Sequence, residues 1–142
     1  MKRILVPMDF SDRSADALNY ARALLPEPQI MLVHILDAHD LYRPTFNLPD
    51  VPDEDNTPTE FDDHALAQLK EIAQDGEQVR LLEGPPAKAI VQAARDFDAD
   101  LICMATHGRS GLMHLLLGSV TEEVMRESNV PVLVVPAKRE KP

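Results

Sequence analysis

From Met104 to Ser119 the chain reads MATHGRSGLMHLLLGS, a stretch whose residue types suit the holding of an anion. Gly108, Gly111 and Gly118 let main-chain N–H groups approach a phosphate with no Cβ in the way. The first N–H groups of a helix opening near Ser119 add partial positive charge. His107, Arg109 and His114 supply cationic or titratable side chains, and no acid occurs from Leu101 to Thr121. A chain with 24 acids in 142 residues would place about three or four in a window of that length. The same residues also fit a plainer use, with Gly108 and Gly111 making turns and Ser119 capping a helix through a box closed by Glu122. No Gly-Lys-Ser/Thr follows the glycines, so this is not a P-loop. Gly-x-Gly-x-x-Gly is absent as well, which argues against hydride chemistry on a nicotinamide.

Asp9, in VPMDFS, is a second candidate. Just past an apolar strand, its carboxylate is placed either to accept hydrogen bonds from ribose hydroxyls or to cap the helix beginning near Ser11. Metal ligation is poorly supported: Cys103 with His107, and Asp37 with His39 and Asp40, have ligand-like spacing but lack third and fourth partners in register. Phosphoryl transfer would need a metal held by acids near the hydroxyls of Ser110, Ser119 and Thr121. Asp9 is the one plausible carboxylate, so no catalytic residue is assigned, and slow hydrolysis or self-phosphorylation at one of these hydroxyls stays an alternative.

Four apolar runs must position these groups: RILVPM, IMLVHIL, DLICMA and VPVLVV. Their hydrophobic residues run together where a half-exposed strand would alternate, which predicts strands buried on both faces. EQVRLLEG alternates more and is expected nearer an edge. Between them, SDRSADALNYARALL sets Ala17, Leu18, Ala21, Leu24 and Leu25 on one helical face, and PPAKAIVQAARDF sets Ala87, Ile90, Val91, Ala94 and Phe97 on another. HALAQLKEIAQ contributes Leu66, Leu69 and Ile72, with His64 starting that helix, and SVTEEVMRES forms the last. The order β-α-β-α-β-α-β-α-β predicts an α/β fold: an open parallel five-stranded sheet with right-handed crossovers and helices on both faces. Ligands bind such sheets beyond the carboxyl ends of the strands, which selects the loops starting at Asp9 and Ala105.

Length predicts one domain over 1–142. Residues 37–59 have no clear periodicity and carry Pro44, Pro49, Pro52 and Pro58, and seven acids lie from Asp50 to Asp63. They are expected to form a long, mobile connection. The formal net charge of -10 opposes a nucleic-acid polymer or an anionic membrane as partner. The lone Cys103, inside DLICMA, predicts a buried small hydrophobe in a reducing compartment. The opening MKRILVPMDF is broken by Pro7 and Asp9 and reads as neither signal peptide nor membrane span, so a cytoplasmic location is expected.

The stretches ILVPMDFSDRSADAL, MLVHIL, EGPPAKAI and MATHGRSGLMHLLLGSVTEEVMRESNVPVLVV together resemble the universal stress protein family in its single-domain form. The family's nucleotide signature is Gly, two residues, Gly, nine residues, Gly, then Ser or Thr. Gly108, Gly118 and Ser119 match it, while Ala105 stands at its first glycine. The resemblance implies a Rossmann-like sheet of strand order 3-2-1-4-5 binding ATP, with Mg2+ held through the phosphates. It implies Pro7 and Asp9 at the adenosine, with Asp9 on the ribose, the Ile35 backbone on the adenine, and Met104 packed nearby. Gly108, Arg109, Gly111, Gly118, Ser119 and Val120 would surround the phosphates, with Gly84 a neighbour. At Ala105 a methyl stands where the motif brings backbone to the ligand, or where a glycine φ is preferred. The resemblance also implies a homodimer through the last strand, Val130–Val135, and a nucleotide-dependent stress-response sensor read by a client protein. A nucleotide-free dimeric interaction module is the alternative.

Overall fold

A computed structural model describes residues 2–36, 58–106 and 118–136. The elements follow the predicted alternation: β1 (Arg3–Pro7), α1 (Asp12–Leu24), β2 (Gln29–Leu36), α2 (Pro58–Ile72), β3 (Gln78–Glu83), α3 (Pro86–Phe97), β4 (Leu101–Ala105), α4 (Ser119–Glu127) and β5 (Val132–Val135). All pairings are parallel, and the sheet order is β3-β2-β1-β4-β5, as expected. The order reverses between β1 and β4, so a crevice opens beyond Pro7 and Ala105.

The continuous apolar runs are explained by two cores, one on each face of the sheet. Ile4, Val6, Ile30, Leu32, Leu101 and Cys103 pack under Ala17, Leu18 and Ala21 of α1 and Leu69 of α2. The alternate residues Leu5, Met31, Val33, Ile102 and Met104 pack under α3 and under Val124 of α4. Period-2 strand geometry sends neighbours to opposite faces, so a strand covered twice must be apolar at every position. Burying side chains such as Leu5, Leu32 and Ile102 stabilises the fold by about 1.5 to 3 kcal/mol each. Cys103 is fully buried in the first core, as its setting predicts.

Several local readings need correction. α2 begins at Pro58, so His64 lies within the helix rather than at its start; proline suits a first helical turn, where its missing N–H has no partner to lose. Pro58 and Thr59 therefore leave the predicted connection, and 37–57 lies outside the described residues. Leu24 falls on the exposed flank at the end of α1, while Ser14 joins the buried face.

Arg22 fixes α1 to the α2–β3 junction. Its Nε and Nη2 donate to the two carboxylate oxygens of Glu77 at 2.8 and 2.7 Å, and Nη2 also donates to the Ile72 carbonyl at the end of α2. At the opposite edge from the crevice, the Asp100 carboxylate accepts from the backbone N–H groups of Lys2 and Arg3, tying β1 to the start of β4. Among the described residues no helix is long and apolar enough to cross a membrane.

Candidate functional site

The crevice at the strand reversal is a cavity of about 410 Å3. β1 and its exit supply Pro7, Met8 and Asp9, β2 supplies His34 and Ile35, and β4 with its exit supplies Met104, Ala105 and Thr106. The start of α4 closes it with Gly118 through Thr121, while Ser14, Pro86 and Ile90 come from α1 and α3. Ser14 and Thr121 are the buried polar side chains among the described residues, and both line this cavity. A buried hydroxyl needs partners, and each has them.

Ser14 organises the exit of β1. Its hydroxyl donates to the Ser11 carbonyl and accepts from the Asp9 N–H at 3.3 Å. Ser11 caps α1 by accepting from the Ser14 N–H, and Asp9 Oδ1 accepts from the Ser11 N–H at 2.9 Å. Of the two uses foreseen for Asp9, the cap thus falls to Ser11, and Asp9 closes the turn before it. Partial burial works to raise the Asp9 carboxyl pKa, but the hydrogen bonds from Ser11 and Ser14 outweigh it and hold the group below its ordinary value. The turn is further set by Met8, whose N–H donates to the Val33 carbonyl at 2.7 Å.

Thr121 organises the opposite wall. Its Oγ1 lies 3.2 Å from the Ala105 carbonyl and 3.3 Å from that of Thr106, and donates between them. The Gly118 N–H donates to the Thr106 carbonyl at 3.1 Å, so the chain leaves β4 and re-enters at α4 through one hydrogen-bonded neck. Glu122 N–H makes the first helical bond, to the Gly118 carbonyl. The N-cap is therefore Gly118, with no side-chain cap, and the expected box between Ser119 and Glu122 does not form. Ser119 sits one position too far inside the helix for it. The N–H groups of Ser119, Val120 and Thr121 thus have no acceptor within the helix, and they carry its positive end to the cavity.

Gly118 at the site and Gly84 beside it differ in physical reason. Gly84 has φ +106, which suits glycine whatever surrounds it; it makes the β3–α3 turn, and Pro86 rather than Gly84 reaches the cavity wall. Gly118 has φ -70 and ψ 158, a backbone that any residue adopts. Ala105 is an ordinary strand residue paired with Val135, and its side chain packs against the core under α1. Its backbone therefore does not call for glycine.

A family model described as the universal stress protein family matches residues 1–136. The chain belongs to the universal stress protein family. It is 34% identical over 155 residues to universal stress protein MJ0577 of Methanocaldococcus jannaschii, covering 96% of each chain. The solved structure of that protein superposes with a TM-score of 0.77 at 31% identity and 98% coverage of both chains. Two universal stress proteins solved with nucleotides share the fold. One, in complex with cAMP, is 22% identical with a TM-score of 0.62, covering 94% of this chain and 96% of that one. The other, from Archaeoglobus fulgidus in complex with dAMP, is 24% identical with a TM-score of 0.55, covering 94% and 97%.

Of the residues singled out in the sequence, Pro7, Asp9, Ile35, Met104, Gly118, Ser119 and Val120 are brought to this one cavity. Gly108, Arg109 and Gly111 lie in 107–117, outside the described residues. Ser14, His34, Pro86, Ile90 and Thr121 also line the wall and were not assigned to the site from sequence. Ser14 and Thr121 carried a signal: each sits in register with an apolar helical stripe, Ala17, Leu18 and Ala21 for one and Val124 for the other. A lone polar residue on a buried face is informative.

Proposed function

We propose that this universal stress protein binds an adenine nucleotide in the β1–β4 crevice and serves in the cytoplasm as a nucleotide-dependent stress-response sensor. The preferred ligand is ATP. The observation that carries this reading is the meeting of the Asp9 carboxylate with the uncapped N-terminus of α4 across one cavity. The first offers acceptors suited to ribose hydroxyls, and the second offers N–H donors and positive potential suited to phosphates. Pro7, Ile35 and Met104 supply the apolar wall for the base, while Gly118, Ser119 and Val120 take the phosphates together with Gly108, Arg109 and Gly111. Gly118 is consistent with the reading, because neither its φ nor its cap position demands glycine, whereas close approach of a ligand would.

Asp9 is the one carboxylate on the cavity wall among the described residues, and it is engaged with Ser11. Mg2+ therefore fits as an ion carried by the phosphates rather than one held by a protein cage. The adenine nucleotides of the cAMP and dAMP complexes speak for what this fold accommodates. Titration of ATP and AMP by calorimetry tests the reading, and absence of saturable binding at millimolar ligand overturns it.

The same reading includes a homodimer through the last strand, expected over Val130–Val135 and formed over Val132–Val135. β5 is an edge strand whose four residues are all partly exposed, and an apolar open edge invites pairing. The exposed large hydrophobics Tyr20, Leu24 and Met125 lie on α1 and α4, both of which touch β5. Sedimentation at micromolar concentration is expected to show a dimer, and a monomer contradicts it.

A further inference from the structure

His34 is a charged-capable side chain on a largely apolar strand, and Phe10 is a bulky residue held in the left-handed region at φ +66. The two meet. Their ring centroids are 4.6 Å apart at an interplanar angle of 39°. The Nδ1 of His34 lies 2.8 Å from the Met8 carbonyl oxygen. A carbonyl can only accept, so Nδ1 carries the proton in this contact. Met8 is thereby clamped to β2 through both of its backbone groups, its N–H on Val33 and its carbonyl on His34. Asp9 and Phe10 follow directly. A bulky residue persists at positive φ only where the surroundings over-determine it, and such strain gathers at functional turns. Here the clamp lies on one side of Asp9 and the Ser11 and Ser14 hydrogen bonds on the other.

We propose that His34 is a positioning residue, which holds the Met8–Phe10 turn by its Nδ1–H bond to Met8 and its tilted ring contact with Phe10, and so presents the Asp9 carboxylate to the cavity. The consequence for ligand affinity rests on the nucleotide reading given above; the orientation of Asp9 does not.

The test uses the full chain with three substitutions, each checked for folding by circular dichroism. His34→Leu removes the donor, His34→Asn keeps an N–H near the Nδ1 position, and His34→Gln moves it toward Nε2. The first readout, free of any nucleotide, is the 13C NMR titration of the Asp9 carboxyl. The second is the ratio of affinities for ATP and 2′,3′-dideoxy-ATP, which isolates contacts to the ribose hydroxyls. In the wild type this ratio is expected to be about tenfold or more. In His34→Leu and His34→Gln the Asp9 pKa rises toward its ordinary value and the ratio falls toward one, while His34→Asn retains both behaviours.

A merely structural role would weaken both ligands equally and leave the ratio intact, and that result overturns the proposal. So does a folded His34→Leu protein with wild-type Asp9 titration. If His34→Leu does not fold, the Asn and Gln variants decide: different behaviour supports the clamp, and identical behaviour overturns it. If the wild type binds neither ligand, the nucleotide reading fails by itself, and the Asp9 titration alone decides the role of His34.

Discussion

Thr121 Oγ1 donates to the Ala105 carbonyl at 3.2 Å, joining the last residue of β4 to the first turn of α4 across the neck from which 107–117 departs. The bond is partly buried and sits where the positive end of the helix meets the cavity. It explains how a helix with no side-chain cap keeps its place. The strand end, not a capping hydroxyl, supplies the anchor.

Thr121→Val keeps the shape of the side chain and removes the bond, leaving the Ala105 carbonyl without this donor. The expected loss is about 1 to 2 kcal/mol of stability, read from urea unfolding, together with weaker ATP binding. Thr121→Ser keeps the hydroxyl and is expected to lie near the wild type in both measurements.

Gly118→Ser separates the needs of the helix from those of the ligand. Serine is a better cap than glycine by a few tenths of a kcal/mol, and the backbone at 118 accepts it. Stability is therefore expected to hold or rise slightly while ATP affinity falls. Unchanged affinity would remove the argument from close approach.

Arg22→Ala leaves the Glu77 carboxylate, whose side chain is 9% exposed, without its bidentate partner. The pair is partly buried and Glu77 keeps the Gln74 N–H, so the expected loss is about 1 to 3 kcal/mol. Arg22→Ala combined with Glu77→Ala is expected to recover part of that loss. Recovery in the double variant distinguishes a stranded charge from lost packing.

Acid should weaken the fold in a defined window. Burial works to raise the Glu77 pKa, but the Arg22 hydrogen bonds and charge and the Gln74 N–H outweigh it and hold it below the ordinary 4.5. The backbone N–H groups of Arg3 and Lys2 lower Asp100, and hydrogen bonding outweighs burial to lower Asp9, each from the ordinary 3.8. A carboxylate depressed in the folded state binds fewer protons there than in the unfolded chain. Its contribution is fully present well above the unfolded pKa and is lost as pH falls from that value through the folded one. The urea midpoint should thus be flat near neutrality and drop below about pH 4.5, and less steeply in Glu77→Gln.

Burial pushes the Cys103 thiol up to about 11, so little thiolate exists at neutral pH. An aromatic disulfide reagent is expected to react with native protein only as fast as it unfolds, and at once in denaturant. Rapid reaction of the folded protein would contradict the burial described here.

The sheet was legible because a strand covered on both faces has no choice but to be apolar throughout. RILVP, QIMLVHIL and LICMA show this in the two cores they enter. The edge position of β3 was visible in the alternation of QVRLLE. Helix starts were harder. Ser119 and Glu122 satisfy the spacing of a capping box, yet the ladder begins at the Gly118 carbonyl, and a shift of one residue dissolves the box. The acids and Pro58 disguised the first turns of α2. At the site, Asp9 and Gly118 were readable from their unusual types at strand and helix ends, while Pro7, Ile35 and Met104 came from the family resemblance alone. Pro86 and Ile90 were not readable, since an apolar helical face looks the same whether it covers a core or a ligand. The clamp between His34 and Met8 needs two strands in register, which only the folded sheet supplies.

The most direct test of the account is calorimetric titration of ATP into the wild type and into Gly118→Val. The account predicts saturable binding to the wild type and a loss of about tenfold or more in the variant, with both proteins folded. No binding to the wild type, or equal affinity in the two, contradicts it.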